Sequence, residues 1–172
     1  TLTISGLLTG TGVLVKDGDG KLVLSNPSNN YTGGTIVNGG TLSVNSSAAL
    51  GLDTTGLAIN NNATFQSTAS FSMSRNVTLG TTGGAVGGII DVTGANNLTE
   101  VGVISGAGSL GKTGTGTLTL QGTNTFTGAN TFSGATTISG ATTLSGATTT
   151  FSSAAITITG KVTHGGVIPA SA

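Results

Sequence analysis

The stretch that decides the fold is Gly108-Ser-Leu110-Gly-Lys112-Thr-Gly114-Thr-Gly116-Thr-Leu118-Thr-Leu120. Leucine alternates with small and polar residues on either side of a Gly-x-Gly break, which is the pattern of two short strands with their leucines on one face and a tight turn between them. The same pattern stands 96 residues earlier, as Gly12-Val-Leu14-Val-Lys16-Asp-Gly18-Asp-Gly20-Lys-Leu22-Val-Leu24, with seven of the thirteen positions identical. After a one-residue slip the copies match again, Asn29-Asn-Tyr31-Thr-Gly33 against Asn124-Thr-Phe126-Thr-Gly128. The first copy runs on through Gly34-Thr-Ile36-Val-Asn-Gly39-Gly40-Thr-Leu42-Ser-Val44. Strand pairs this short cannot bury an apolar face alone, whereas stacked coils can.

The composition points the same way. Of 172 residues, 31 are glycine, and the five basic and five acidic side chains cancel. Helix is disfavoured because Thr and Val lose rotamer freedom in it and Gly and Asn favour turns. Leu, Ile and Val recur too regularly for a disordered chain. No stretch approaches the roughly 18 consecutive apolar residues of a spanning helix. Neutral charge gives no basic stripe for nucleic acid, and the absence of cysteine rules out disulfides and thiolate metal sites. The chain begins at Thr1 without a signal-peptide pattern, so it is expected to be a mature or excised piece.

With these motifs the sequence resembles the passenger-associated β-strand repeat of bacterial autotransporters, whose signature reads roughly G-x-G-x-L-x-K-x-G-x-G-T-L-x-L-x-G-x-N-x-[YF]-T-G followed by T-x-[IV]…G-G-T-L. Gly108 to Gly128 follows the first part nearly residue for residue, and Gly12 to Val44 follows both. The resemblance implies an all-β fold, a right-handed parallel β-helix (β-solenoid) with short strands and Gly-rich turns, exposed outside the cell at the bacterial surface. No translocator barrel or linker helix is recognisable, so the same repeats also fit another kind of large secreted fibre.

Two regions follow. Residues 1–125 are read as solenoid coils carrying two passenger-type repeats, at about 6–45 and 104–128. Within them, Leu57-Ala-Ile59, Ala63-Thr-Phe65, Phe71-Ser-Met73, Val77-Thr-Leu79 and Ile89-Ile-Asp-Val92 read as strands of degenerate coils, and Asn60-Asn61-Asn62 as a turn suited to stacked amides. Residues 126–172 change period: Phe126-Thr-Gly-Ala-Asn-Thr, Phe132-Ser-Gly-Ala-Thr-Thr, Ile138-Ser-Gly-Ala-Thr-Thr and Leu144-Ser-Gly-Ala-Thr-Thr are four hexads, each led by a large apolar residue. The even period keeps each leader on the same strand face. Phe151 then arrives one residue late and ends that register, and Ala155-Ile-Thr-Ile158 starts another alternation. The hexads also resemble phage tail-fibre shafts, in which three chains wind together, and a left-handed hexapeptide helix is a third form they fit.

Several segments look like chemistry. Gly106-Ala-Gly-Ser-Leu-Gly111-Lys112-Thr113 satisfies the phosphate-loop pattern, but Gly114-Thr-Gly116-Thr-Leu-Thr-Leu120 cannot supply the helix that such a loop opens, so no nucleotide or other cofactor is expected. Asp17-Gly-Asp19-Gly20 resembles the start of a calcium loop without its remaining ligands, and reads as a solvated turn with no metal. A glycan-cleaving carboxylate pair would have to come from Asp91 with Glu100, or either with Asp53, in a chain with one arginine, Arg75, and no tryptophan. His164, the sole histidine, reads as an exposed turn residue beside Gly165-Gly166. The Asn-x-Ser/Thr sequons at Asn30, Asn45, Asn62, Asn76 and Asn97 are what such richness in these residues produces by chance.

No catalytic, cofactor-binding or metal residue is therefore assigned, and the chain reads as an extracellular structural rod rather than an enzyme. Inward Leu, Ile, Val and Phe form its core, and outward Thr, Ser and Asn meet water. Unpaired rungs at both ends, with Pro27 and Pro169 the only prolines and little charge to block pairing, point to self-association, head-to-tail or lateral, or to further coils in a longer chain. A host or neighbouring cell surface is the other partner class. The alternatives are a trimeric phage-fibre shaft and a glycan hydrolase or lyase.

Overall fold

The computed structural model describes residues 1–80, 86–146, 148–152 and 155–165. Of the residues read above, Ala147, Gly166 and Pro169 lie outside them. The chain winds through three parallel sheets that form the walls of a triangular rod. Wall 1 has eight strands: Leu2–Ile4, Lys21–Leu24, Thr41–Val44, Thr64–Ser67, Gly88–Val92, Leu110–Thr113, Asn130–Phe132 and Thr149–Phe151. Wall 2 has five: Phe71–Met73, Asn97–Glu100, Thr117–Leu120, Thr136–Ile138 and Ile156–Ile158. Wall 3 has eight: Leu14–Lys16, Thr35–Val37, Leu57–Ile59, Val77–Leu79, Ile104–Gly106, Asn124–Phe126, Thr142–Leu144 and Val162–His164. The strands read from the middle of the sequence are all present, so the all-β solenoid reading holds.

Apolar residues stack in register from coil to coil. On wall 1 the column Leu22, Leu42, Phe65, Ile90 runs up the rod axis, and all four are buried. Each such side chain contributes roughly 1.5–3 kcal/mol by leaving water, which is what holds three-residue strands together. In the first three coils wall 2 has no strand. In the second Tyr31 takes its place, buried with its hydroxyl 2.7 Å from Thr35 Oγ1, and in the third the short 3-10 turn Ser47–Leu50 does so.

The hexads show why an even period suits this rod. Strands Asn124–Phe126, Asn130–Phe132, Thr136–Ile138 and Thr142–Leu144 fall on walls 3, 1, 2 and 3, so three hexads complete one coil. Asn124 pairs with Thr142, 18 residues on, within the same chain. A trimeric shaft is thus not what this pairing builds, because the hexads close their triangle without a second chain. Phe151 differs from expectation too. It is 19 residues from Phe132 yet pairs with it, rings stacked at 5.2 Å, because the extra residue is taken up before the strand and the register survives.

The repeat is a unit of wall and corner rather than of a whole coil. In the first copy the lysine-bearing strand, Leu14–Lys16, lies on wall 3; in the second, Leu110–Thr113 lies on wall 1. The copies are therefore one wall out of phase. A three-walled coil accepts this because each wall asks for the same thing, an inward apolar residue and a tight corner.

The expected division of inward aliphatics from outward Thr and Asn needs one correction. The first residue of many strands is polar and also points inward: Asn124, Asn130, Thr136, Thr142 and Thr149 are buried. These residues tie down corner backbone that has no ladder partner. Asn124 Nδ2 donates to Gly122 O at 2.9 Å while its Oδ1 accepts from Ile104 N of the preceding coil at 2.8 Å, and Thr136 Oγ1 bonds Gly134 O at 3.1 Å. Asn29, the matching asparagine of the first repeat, bridges Leu8 N and Ala49 O, one coil to each side.

Candidate functional site

The two repeat lysines face the interior. Lys16 Nζ donates to the carbonyls of Asp17, Gly18 and Gly39 at 3.0, 2.6 and 2.8 Å. Lys112 Nζ does the same with Thr113 and Gly114, and the side chain is fully buried between Ile90 and Phe132. Burial pushes its ammonium down to about 8, partly countered by the Asp91 charge. The Gly-x-Gly turn that the lysine seals needs a left-handed first glycine, and Gly18 and Gly114 have φ of 72° and 77°. The lysine of the phosphate-loop pattern is therefore a plug for turn carbonyls, on a strand that no helix follows.

The turn Asp17–Gly20 is exposed, and among the described residues no cluster of three metal-ligating side chains occurs. Asp17 instead starts an amide ladder up the rod: Asn38 Nδ2 donates to its Oδ1 at 2.9 Å and Asn60 Nδ2 donates to Asn38 Oδ1 at 2.9 Å. Asn61 and Asn62 turn the corner with φ of 54° and 57°. This is the stacking that the asparagine run suggested.

The acids considered as catalytic pairs, Asp91 with Glu100 or either with Asp53, take different faces of the rod. Asp91 faces outward on wall 1 and belongs to another ladder, accepting from Gln66 Nε2 at 2.7 Å and Thr113 Oγ1 at 3.3 Å, with Lys21 Nζ on Gln66 Oε1 at 2.6 Å. Glu100 faces inward on wall 2 and has no exposed surface. Asp53 is half exposed and pairs with Arg75 at 2.9 Å. Arg75, which the sequence did not single out beyond its being alone, is itself buried and gathers the 47–55 excursion: its NH1 bonds Leu50 O and Thr55 O at 3.1 and 3.2 Å, and its NH2 bonds Ser47 O at 3.0 Å. The signal was available in principle. A lone arginine among apolar strands, one coil after an aspartate, has few places to go.

His164 is not a turn residue. It ends a wall 3 strand in register with Leu144, half buried, with Nε2 3.1 Å from Thr149 Oγ1.

What the rod presents outward is hydroxyl ladders. Ser72, Thr99, Thr119, Thr137 and Thr157 stand in one register column of wall 2, and Thr78, Ser105, Thr125, Thr143 and Thr163 in one of wall 3. Below the wall 3 column the same line is apolar: Val15, Ile36 and Ala58. Among the described residues this arrangement is an extended face. It offers a long surface of evenly spaced hydroxyls and methyls.

Residues 14–44, 110–129 and 125–148 match the passenger-associated-transport-repeat family. The third match lies in the hexads, which therefore belong with the repeats. Over 126 residues, 68% of this chain, the sequence is 40% identical to the protein called Adhesin BmaC autotransporter of Brucella suis biovar 1 (strain 1330), and it spans 4% of that protein's length. No solved structure matches the chain. Repeats that match in sequence and close into stacked parallel coils mark the chain as carrying passenger-associated-transport repeats, the kind found in cell-surface autotransporter passengers.

Proposed function

We propose that this segment is a shaft: a stiff extracellular spacer whose length is set by the number of coils and which has no catalytic role. The observation that carries this reading is the unbroken run of eight rungs on walls 1 and 3, sealed inside, with hydroxyl ladders outside along wall 2 and the upper part of wall 3. Each rung adds about 4.8 Å. Apolar residues on the first rung and on the last wall 2 rung, Leu2 at 63% and Ile158 at 50% exposure, support stacking on further coils, of this chain or of a second copy. The name of the Brucella relative supports an adhesive role for the surface, secondary to the spacer role.

Small-angle scattering and sedimentation of the purified segment test this reading. A rod of constant cross-section is expected, lengthening with concentration. A compact particle would refute the shaft. A rod that stays the same length at all concentrations would refute self-stacking alone. Adhesion is read separately, by binding of the labelled segment to host-cell and bacterial surfaces, and no binding above a scrambled hydroxyl-face variant would remove it.

A further inference from the structure

Glu100 is the one acid sealed inside the rod. It stands in register between Met73 below and Leu120 above, both buried. One carboxyl oxygen, Oε1, accepts from Gly102 N at 2.8 Å, and the other, Oε2, is buried with no partner. The charged groups acting on it are Arg75, which favours its ionised form, and Asp53, which opposes it. Arg75 spends its terminal nitrogens on carbonyls and Asp53 of the coil below, and its buried Nε has no partner. The Gly102 corner rests closely on the coil below, since a Cβ placed on Gly102 would lie 2.3 Å from Arg75 O.

We propose that Glu100 is a pH-sensitive junction in the rod: as a neutral acid it closes the coil spanning walls 2 and 3, and when its proton is lost to solvent the unsolvated carboxylate forces that coil open before its neighbours. This goes beyond the shaft reading and does not depend on it. Burial is the main cause that raises the folded carboxyl from 4.5 to about 8, against the Gly102 N–H and Arg75. Between those values the folded coil keeps a proton that the opened coil has released, so the closed form loses ground as pH rises, about tenfold per unit. The closing preference is complete below pH 4.5 and spent above about 8. Lys112, a buried lysine one coil on, is lowered only to about 8, so it stays charged in both forms through most of this window.

Hydrogen exchange with peptide resolution, corrected for the intrinsic rate, reads the opening directly. From pH 5.5 to 7.5 the protection of residues 97–106 is expected to fall at least thirtyfold, while residues 130–144 change less than threefold. In Glu100→Gln the 97–106 peptide is expected to keep its protection across the range. Should the amide prevent folding, Glu100→Leu serves the same purpose, and the carboxyl carbon shift of Glu100 in the unaltered chain gives its titration midpoint without any substitution. Equal losses in both regions, the same loss in the variant, or a midpoint near 4.5 would each overturn the proposal.

Discussion

Gly122→Ala is expected to destabilise the coils around residues 97–146 by about 3 kcal/mol or more, read as a lower urea midpoint for that part of the rod. The added methyl would sit 2.0 Å from Gly102 O and 2.8 Å from Gly102 C, both backbone atoms of the coil below, so no side chain is able to swing aside. The cost is steric, not conformational, since Gly122 is absent from the left-handed glycines. The same approach recurs up that corner, where a Cβ on Gly140 would meet Gly122 O at 2.2 Å and one on Gly160 would meet Gly140 O at 2.4 Å. The Thr-Gly-Ala or Ser-Gly-Ala of each hexad is thus a corner code, with glycine where one coil rests on the next. The rod offers its own control. A Cβ on Gly56 would meet only Asn76 O, at 3.6 Å, while one on Gly116 would meet Asn96 O at 2.5 Å. Gly56→Ala should therefore change stability by less than about 0.5 kcal/mol and Gly116→Ala by several times that. Equal effects at the two positions would show that corner contact is not what selects glycine.

The second large effect is at Arg75. Arg75→Ala is expected to cost about 3–5 kcal/mol and to open the 47–55 excursion to proteolysis, because it leaves several buried carbonyls unpaired and a void behind them. Asp53→Asn should cost under about 1 kcal/mol, since Asp53 is half exposed and water screens its pairing. If the aspartate substitution were as costly as the arginine one, the ion pair rather than the carbonyl clamp would be what holds this region.

The division between what could be read from the residues and what could not follows from the triangular coil. The strands were legible because alternation needs only neighbouring residues: Leu57–Ile59, Phe71–Met73 and Val77–Leu79 lie where their patterns put them. The wall each strand occupies was not legible, since all three walls ask for the same inward apolar residue. The repeat copies could therefore sit a third of a turn apart without any trace in sequence. The candidate acids show the same limit. Asp91 and Glu100 are nine positions apart, and which face each takes depends on the corner between them. The inward Thr and Asn residues are not legible because a strand pattern marks polar residues as outward, whereas corners create buried backbone groups that only a polar side chain satisfies. The phosphate-loop pattern around Lys112 lacks its helix in the sequence itself, but the lysine's role as a turn plug needs the third dimension.

The three-walled, single-chain coil is tested most directly by paired cysteines in a chain that has none of its own. Thr119 and Thr137 face outward in register on adjacent rungs of wall 2, while Thr137 and Thr143, only six residues apart, lie on different walls. Adjacent rungs, about 4.8 Å apart, suit a disulfide. Under mild oxidation Thr119→Cys with Thr137→Cys should close an intrachain disulfide in a monomer, and Thr137→Cys with Thr143→Cys should not. Closure of the six-residue pair instead, or linkage of separate chains into dimers and trimers, would mean that the hexads do not wind three to a coil within one chain.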